Sequence, residues 1–381
     1  MKVSHTQVST YLQCGEKWRL QYEEKLRGPT LGSPLFFGRA IDAAIGRVLL
    51  DKKKQLTDTE IMIKDMDDIE LFDSHMQSTV FNYETIQLDK HHAPRYSASD
   101  VDLQLLLPVD YNNISKFASE CGILVAPSEI GSLLDDMNHR RKVDKKILDQ
   151  TDQCVYNYIC WNALRRKGHL LIEAFKQQVY PLIGEVLTLQ EAVSLKDGSD
   201  ELIGFIDMIA TFTDDPTTPY VIDLKTASKA YKEDSVRTSD QLALYCEYKQ
   251  MDKAAFIVIE KTLRKKAPQV RIQIIKDTIP QRQIDDTFDK ISKTIENIEN
   301  RIFDKNKESC YAFGKQCDYY GLCHFGSHKN LVSFKGVENG SKQSEGSEGG
   351  KLEAQAETSG TNGSREASGG AGQDISGGTT V

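Results

Sequence analysis

Gly204-Phe205-Ile206-Asp207, then Val221-Ile222-Asp223-Leu224-Lys225, then Gln241-Leu242-Ala243-Leu244-Tyr245 is the stretch whose reading decides the fold. It places two acids and a lysine inside apolar strands, where charge is strongly disfavoured unless each group is paired or holds a metal. Successive residues of a strand point to opposite faces, so Asp223 and Lys225 share one face while Ile222 and Leu224 point to the other. Asp207 lies on the preceding strand, and a hairpin brings it alongside Asp223. Two neighbouring carboxylates raise each other's pKa unless a cation lies between them. Hard oxygen ligands of this kind select Mg²⁺ or Mn²⁺.

Working outward, the periodicity predicts one or two helices over 147–180, strands over 186–195, 202–212 and 220–225, a helix over 238–250, and strands over 254–260 and 269–275. The segment Asp214-Asp215-Pro216-Thr217-Thr218-Pro219 reads as the turn between two of those strands. A closing helix over 280–303, with Pro280 in its first turn, carries Ile284, Phe288, Ile291, Ile295, Ile298 and Ile302 as a packing stripe. The sum is an α/β fold, a mixed sheet flanked by helices. Upstream, Phe36-Phe37-Gly38-Arg39-Ala40-Ile41-Asp42 puts Gly38 and Asp42 on one helix face, and glycine there is expected to let the helix lie close to the sheet. Asp42 reads either as a surface acid or as a third metal ligand. Gln241 and Tyr245 form an i, i+4 pair.

The chain has 381 residues, 39% of them hydrophobic and 27% charged, enough for one large or two ordinary domains. No apolar run approaches the roughly 20 residues that span a bilayer, and no signal-peptide pattern opens the sequence, so a cytoplasmic protein with no membrane partner is expected. A net charge of −8 argues against coating nucleic acid through a broad basic surface, but leaves room for a local groove. Basic clusters occur at His139-Arg140-Arg141-Lys142 with Lys145 and Lys146, at Arg165-Arg166-Lys167, and from Lys261 to Lys266; each reads first as a solvated face or a basic hairpin turn. Composition divides the chain into 1–50, the start of the core; 51–168, a polar helical insertion; 169–330, the main sheet and closing helix; and 331–381, a Gly, Ser and Glu-rich tail too polar to order itself.

Of eight cysteines, Cys310, Cys317 and Cys323 cluster after the closing helix and Cys14 stands near the start. Clustered cysteines in a cytosolic chain bind metal more readily than they form disulfides, and four thiolates suit a [4Fe–4S] cluster or zinc. Cys121, Cys154, Cys160 and Cys246 read as small buried residues.

The order Gly38-x-x-x-Asp42, Gly204-x-Ile206-Asp207, Asp223-x-Lys225, Gln241-x-x-x-Tyr245 resembles the RecB-type branch of the PD-(D/E)XK nuclease superfamily, which includes CRISPR-associated RecB-like exonucleases and phage relatives. The family usually has histidine where Asp42 stands. Cys14 in Thr10-Tyr11-Leu12-Gln13-Cys14 resembles its N-terminal cysteine motif, and five residues between Cys317 and Cys323 match its last interval. Six residues between Cys310 and Cys317, where two are usual, depart from it, so Cys310 or His324 completes the set. The resemblance implies a restriction-endonuclease-like fold whose Asp42, Asp207, Asp223 and Leu224 carbonyl hold Mg²⁺ or Mn²⁺. It implies Lys225 as the catalytic lysine, with Gln241 and Tyr245 supporting it. It further implies a staple of Cys14, Cys310, Cys317 and Cys323 around [4Fe–4S] or zinc. The activity so implied is a DNA exonuclease acting on single strands or free ends, in recombination, repair or phage DNA processing in a bacterial or phage-infected cell. A helicase or recombination protein is the partner class, with Arg140, Arg141, Lys142 and the Arg264-Lys265-Lys266 loop on phosphates. An inactive DNA-binding or complex-assembly protein, and a structural metal-binding module, are the competing readings.

Overall fold

Alternating apolar residues between positions 183 and 278 give long strands whose faces are covered by helices on both sides. The computed structural model describes residues 1–333 except 29, 81–92, 97–101, 143–147, 198–199, 264–268, 315 and 330. The sheet strands are β1 (Lys2–Ser4), β2 (Ile183–Asp197), β3 (Asp200–Phe212), β4 (Asp215–Ala227), β5 (Lys253–Glu260) and β6 (Arg271–Thr278). The main helices are α1 (His5–Gln13), α2 (Ser33–Leu50), α3 (Asp68–Val80), α4 (Pro108–Glu120), α5 (Ile130–Lys142), α6 (Gln150–Gln178), α7 (Asp240–Lys249) and α8 (Gln281–Glu299).

One edge of β3 pairs with β2 along nearly its whole length. The other edge is shared: β1 runs parallel to residues 201–203, and β4 runs antiparallel to residues 208–212. Beyond the Met208–Ile222 pair, β4 leaves β3 and continues as the parallel neighbour of β5, with α7 supplying the crossover that a parallel pair needs. β6 closes the sheet antiparallel to β5. Ala40, Ile41 and Ala44 of α2 and Ile172 and Phe175 of α6 bury the face bearing Met208, Ala210 and Ile222. Leu242 and Ala243 of α7 and Ile284, Ile291 and Ile295 of α8 bury the opposite face, bearing Leu202, Ile206 and Val221. This is the mixed sheet flanked by helices that the sequence leads one to expect.

Two expectations are corrected. The proline-rich segment is not a turn between strands: β4 begins at Asp215, paired with Phe212, and residues 216–219 form an irregularity in that ladder before Tyr220 pairs with Ala210. Prolines fit where no ladder donor is required. The closing helix ends at Glu299, so Ile302 lies beyond it and is 43% exposed, while Ile284, Ile291, Ile295 and Ile298 are buried as a stripe. Among the described residues no helix is long and apolar enough to cross a membrane. The tail from 334 onward lies outside the described residues.

Helices α3, α4 and α5 pack on α6 and share the core of the α2 face. Their contacts explain one of the basic clusters. Arg165 pairs with Asp73, Arg166 makes two hydrogen bonds to Asp110 at 2.7 and 2.8 Å, and Lys167 is buried. Arg165 and Arg166 thus tie α6 to α3 and α4. Arg140 likewise pairs with Asp136 and Asp152. The side chains of Arg141 and Lys142, and all of Lys145, Lys146 and Arg264-Lys265-Lys266, lie outside what the structure describes.

The α3–α6 contact is tight at Gly168, where a Cβ would lie 2.0 Å from the Phe72 ring, itself fully buried. Alanine is favoured over glycine by roughly 1 kcal/mol in an open helix, but overpacking here costs about 1–3 kcal/mol. Gly168→Ala is therefore expected to lower stability in a urea titration, whereas a raised midpoint would show that this contact yields freely.

Candidate functional site

The parting of β3 and β4 brings the strand residues of the site together. Asp207 stands on β3 one position past the last paired residue, and its Oδ2 accepts the Leu224 backbone N–H at 2.9 Å, taking over a donor that the ladder no longer uses. Asp223 and Lys225 project together on the α7 face, as strand alternation requires. Lys225 Nζ lies 2.6 Å from Asp223 Oδ2 and donates to Gln241 Oε1 at 3.1 Å; Gln241 Nε2 donates to Tyr245 OH at 3.2 Å. The i, i+4 pair on α7 thus props the lysine from behind. Its helix is fixed by Ser239, whose side chain accepts the Leu242 N–H as a cap.

Asp42 comes from α2, which carries Pro34 in its first turn and buries Ile41 and Ile45 against the sheet. Asp42, Gln190 and Asp207 line a cavity of about 20 Å³, room for one water-sized occupant. The larger cavity, about 170 Å³ between the start of β3 and α8, contains none of the site residues. Gly38 does not need to be glycine for close approach: a Cβ there would meet Thr226 Oγ1 at an ordinary 3.6 Å. Gly204 does, because its Cβ would fall 3.0 Å from the Tyr245 ring.

Burial and mutual repulsion dominate the electrostatics. Burial, then the charges of Asp207 and Asp223, push the Asp42 carboxyl up to about 8. Burial raises Asp223 to about 7, with Lys225 opposing and Asp207 adding to it. Asp207 is also raised by burial, against the Leu224 N–H, Lys225 and the Gln190 side chain. Burial works against the Lys225 ammonium, but Asp223 and Asp207 outweigh it and hold its pKa above the usual value. Apart from the ion pair with Lys225, both Asp223 oxygens are buried without a hydrogen-bond donor. Three buried, repelling acids, with both Asp223 oxygens lacking a donor beyond Lys225, suit a hard divalent cation. Among the described residues, no three His, Cys, Asp or Glu side chains converge on one point as metal ligands.

Two neighbours of the site carry no sequence signal. Gln190, on β2 opposite Asp207, has φ of +49° and hydrogen-bonds the Asp207 carboxylate. There the paired strands change face: Leu202 and Ile206 point to the α7 side, Met208 and Ala210 to the α2 side. A left-handed glutamine in a strand is a local strain that only the tertiary context explains. His5, at the start of α1, is within electrostatic reach of Asp240 and Lys225, and burial pushes its pKa down.

At the chain ends, residues 11–27 and 302–333 are stapled. Trp18 stacks on Phe303 at 5.8 Å, Asn306 Nδ2 donates to the Gln13 carbonyl at 3.0 Å, and Tyr319 OH donates to the Leu26 carbonyl at 2.8 Å. Leu26–Arg27 and Val332–Ser333 pair as a short antiparallel ladder. Burial, then Glu16, raises the Cys323 thiol to about 11, and Cys317 and Cys14 are near enough to add to that rise. Cys310 Sγ lies 3.7 Å from His324 Nε2. Of the other cysteines, Cys160 and Cys246 are buried as expected, whereas Cys121 and Cys154 are only half-buried and their thiols hydrogen-bond each other.

A family model for the PD-(D/E)XK nuclease superfamily matches residues 2–103 and 137–324, well over half of the chain. No curated protein matches the sequence significantly. One solved structure that matches, described as "Crystal structure of SSO0001", has a TM-score of 0.25 and 14% identity, covering 51% of this chain and 82% of that one, a likeness too slight to bear on function.

The raised acids set a pH dependence. A carboxyl raised in the folded state binds its proton more tightly there, so stability falls as pH rises from about 4, the ordinary value, toward the raised one. In chelator, the unfolding temperature is expected to drop between about pH 5 and about pH 8, the window that ends at the Asp42 value. Asp42→Asn is expected to flatten that drop and to melt higher at its alkaline end. Identical profiles for the two proteins would remove Asp42 from the repelling set.

Proposed function

We propose, for a chain that belongs to the PD-(D/E)XK nuclease superfamily, a metal-dependent deoxyribonuclease of the RecB-like branch that hydrolyses phosphodiesters, acting as an exonuclease on single-stranded DNA. The observation that carries this reading is the clustering of Asp207, Asp223 and Lys225 where β4 leaves β3, with Gln241 behind the lysine. Asp42, Asp207 and Asp223, with the Leu224 carbonyl, are the residues that would hold Mg²⁺ or Mn²⁺. Such an ion supplies Lewis acidity toward water and the phosphate oxygens. The lysine acts as a cation: its raised pKa keeps the ammonium charged at neutral pH, so it donates to the attacking water or to charge developing on the phosphate. Gln241, itself bonded to Tyr245, fixes the direction of that donation.

An inactive DNA-binding protein of the same fold has no use for buried, repelling acids, which is why catalysis is preferred. Roles in recombination, repair or phage DNA processing, and a helicase partner, belong to the same proposal.

The cysteines carry a second element. With residues 11–27 and 302–333 stapled together, Cys14, Cys317 and Cys323 with Cys310 or His324 are the residues that would hold [4Fe–4S] or zinc. Anaerobically purified protein is expected to show a broad visible absorption band that Cys323→Ser abolishes; a colourless protein carrying one zinc ion would favour the alternative.

Magnesium- or manganese-supplemented digestion of end-labelled linear DNA, beside a closed single-stranded circle, tests the activity. Lys225→Ala and Asp223→Ala are expected to lose on the order of a thousandfold or more in rate while still folding, Asp223→Ala melting no lower than the wild type and Lys225→Ala, which leaves Asp223 without its counter-charge, melting lower. A fully active double variant would contradict the site, and efficient cutting of the circle would contradict the exonuclease assignment.

A further inference from the structure

We propose that Phe205 is a base-stacking platform, the side chain that seats the nucleobase beside the scissile phosphate; the proposal rests on the nuclease reading above. Phe205 lies in the middle of β3 yet is 49% exposed, while Leu202 and Ile206 on the same strand are 3% and 0% exposed. Leu202 and Ile206 point to the α7 side, so Phe205 projects to the other side of the strand, and Asp207 follows where the strand changes face. Phe205 and Asp207 are two residues apart, about 6.5 Å along the backbone. No other exposed aromatic among the described residues stands so close in sequence to a site acid; Tyr311 and Phe325 belong to the C-terminal staple.

The surroundings keep the ring available. Its cross-strand partner on β2 is Ala192, small and exposed, and the flanking β2 residues Gln190 and Ser194 are exposed as well. The sheet face around Phe205 is therefore uncovered, two residues before Asp207. The backbone beneath the ring is held: the Phe205 N–H bonds the Tyr245 hydroxyl, and Gly204 lets that ring come within contact distance. An isolated exposed phenylalanine is common on a protein surface. One fixed in position on an open face, next to a carboxylate of the site and tied to the Gln241–Tyr245 pair, is placed to receive a base. Stacking suits a sequence-tolerant nuclease because every base presents a π-face.

Equilibrium binding of a short oligothymidylate to the full chain in chelator, followed by fluorescence anisotropy, tests this without cleavage. Phe205→Ala is expected to weaken binding about five- to a hundredfold, and Phe205→Trp to restore it. A set of oligomers with one abasic nucleotide at successive positions should reveal one position where the wild type loses the same factor and Phe205→Ala loses nothing more. Unchanged affinity in Phe205→Ala, no binding by the wild type, or equal abasic sensitivity in both proteins overturns the proposal. The same oligomers with Mg²⁺ or Mn²⁺ separate the two readings: Phe205-dependent binding without cleavage leaves the platform standing and removes the nuclease.

Discussion

The site depends on β4 leaving β3 just past the pair of Met208 with Ile222. Had the ladder continued, the Leu224 N–H would have bonded backbone and Asp207 would have been pressed against Asp223 in a closed sheet. Because the strands part, the Asp207 carboxylate enters the gap and accepts that N–H itself. Past the break β4 runs on as the parallel neighbour of β5, which requires the α7 crossover and so delivers Gln241 and Tyr245 to Lys225. One break in pairing therefore positions residues from three elements.

The break also creates the electrostatic problem that the site is built around. Asp42 and Asp223 are held well above the ordinary carboxylate range by burial and by neighbouring carboxylates, and a single ammonium, Lys225, opposes them. A buried pair without full hydrogen bonding is a poor source of stability, because desolvation offsets the attraction. The arrangement makes sense as a place for added positive charge, with Lys225 left to act on the substrate.

Much of this was legible in the sequence, because the relevant signals are local. Strand period put Asp223 beside Lys225, and helical spacing paired Gln241 with Tyr245. What was not legible depends on distant residues. Gln190 takes a left-handed backbone only because of the change of face opposite Asp207, and glutamine itself gives no hint of it. His5 reaches the site through the parallel pairing of β1 with β3, strands far apart along the chain. Arg165 and Arg166 look like a surface patch until Asp73 and Asp110 are found opposite them. Pro216 and Pro219 suggest a turn because composition cannot tell a turn from an irregular ladder.

Residues 11–27 and 302–333 are joined by packing and hydrogen bonds around Trp18, Phe303 and Tyr319, which brings the cysteine-bearing segments together, whereas burial and the repulsion of Asp207 and Asp223 raise the Asp42 carboxyl to about 8. The direct measurement is calorimetric titration of Mn²⁺ into metal-free protein at about neutral pH in buffers of different ionisation enthalpy. Binding accompanied by proton release is expected, since the raised carboxyls must ionise to coordinate, with both binding and release lost in Asp207→Asn. Binding without proton release, or binding unaffected by Asp207→Asn, would contradict a cation held by these acids.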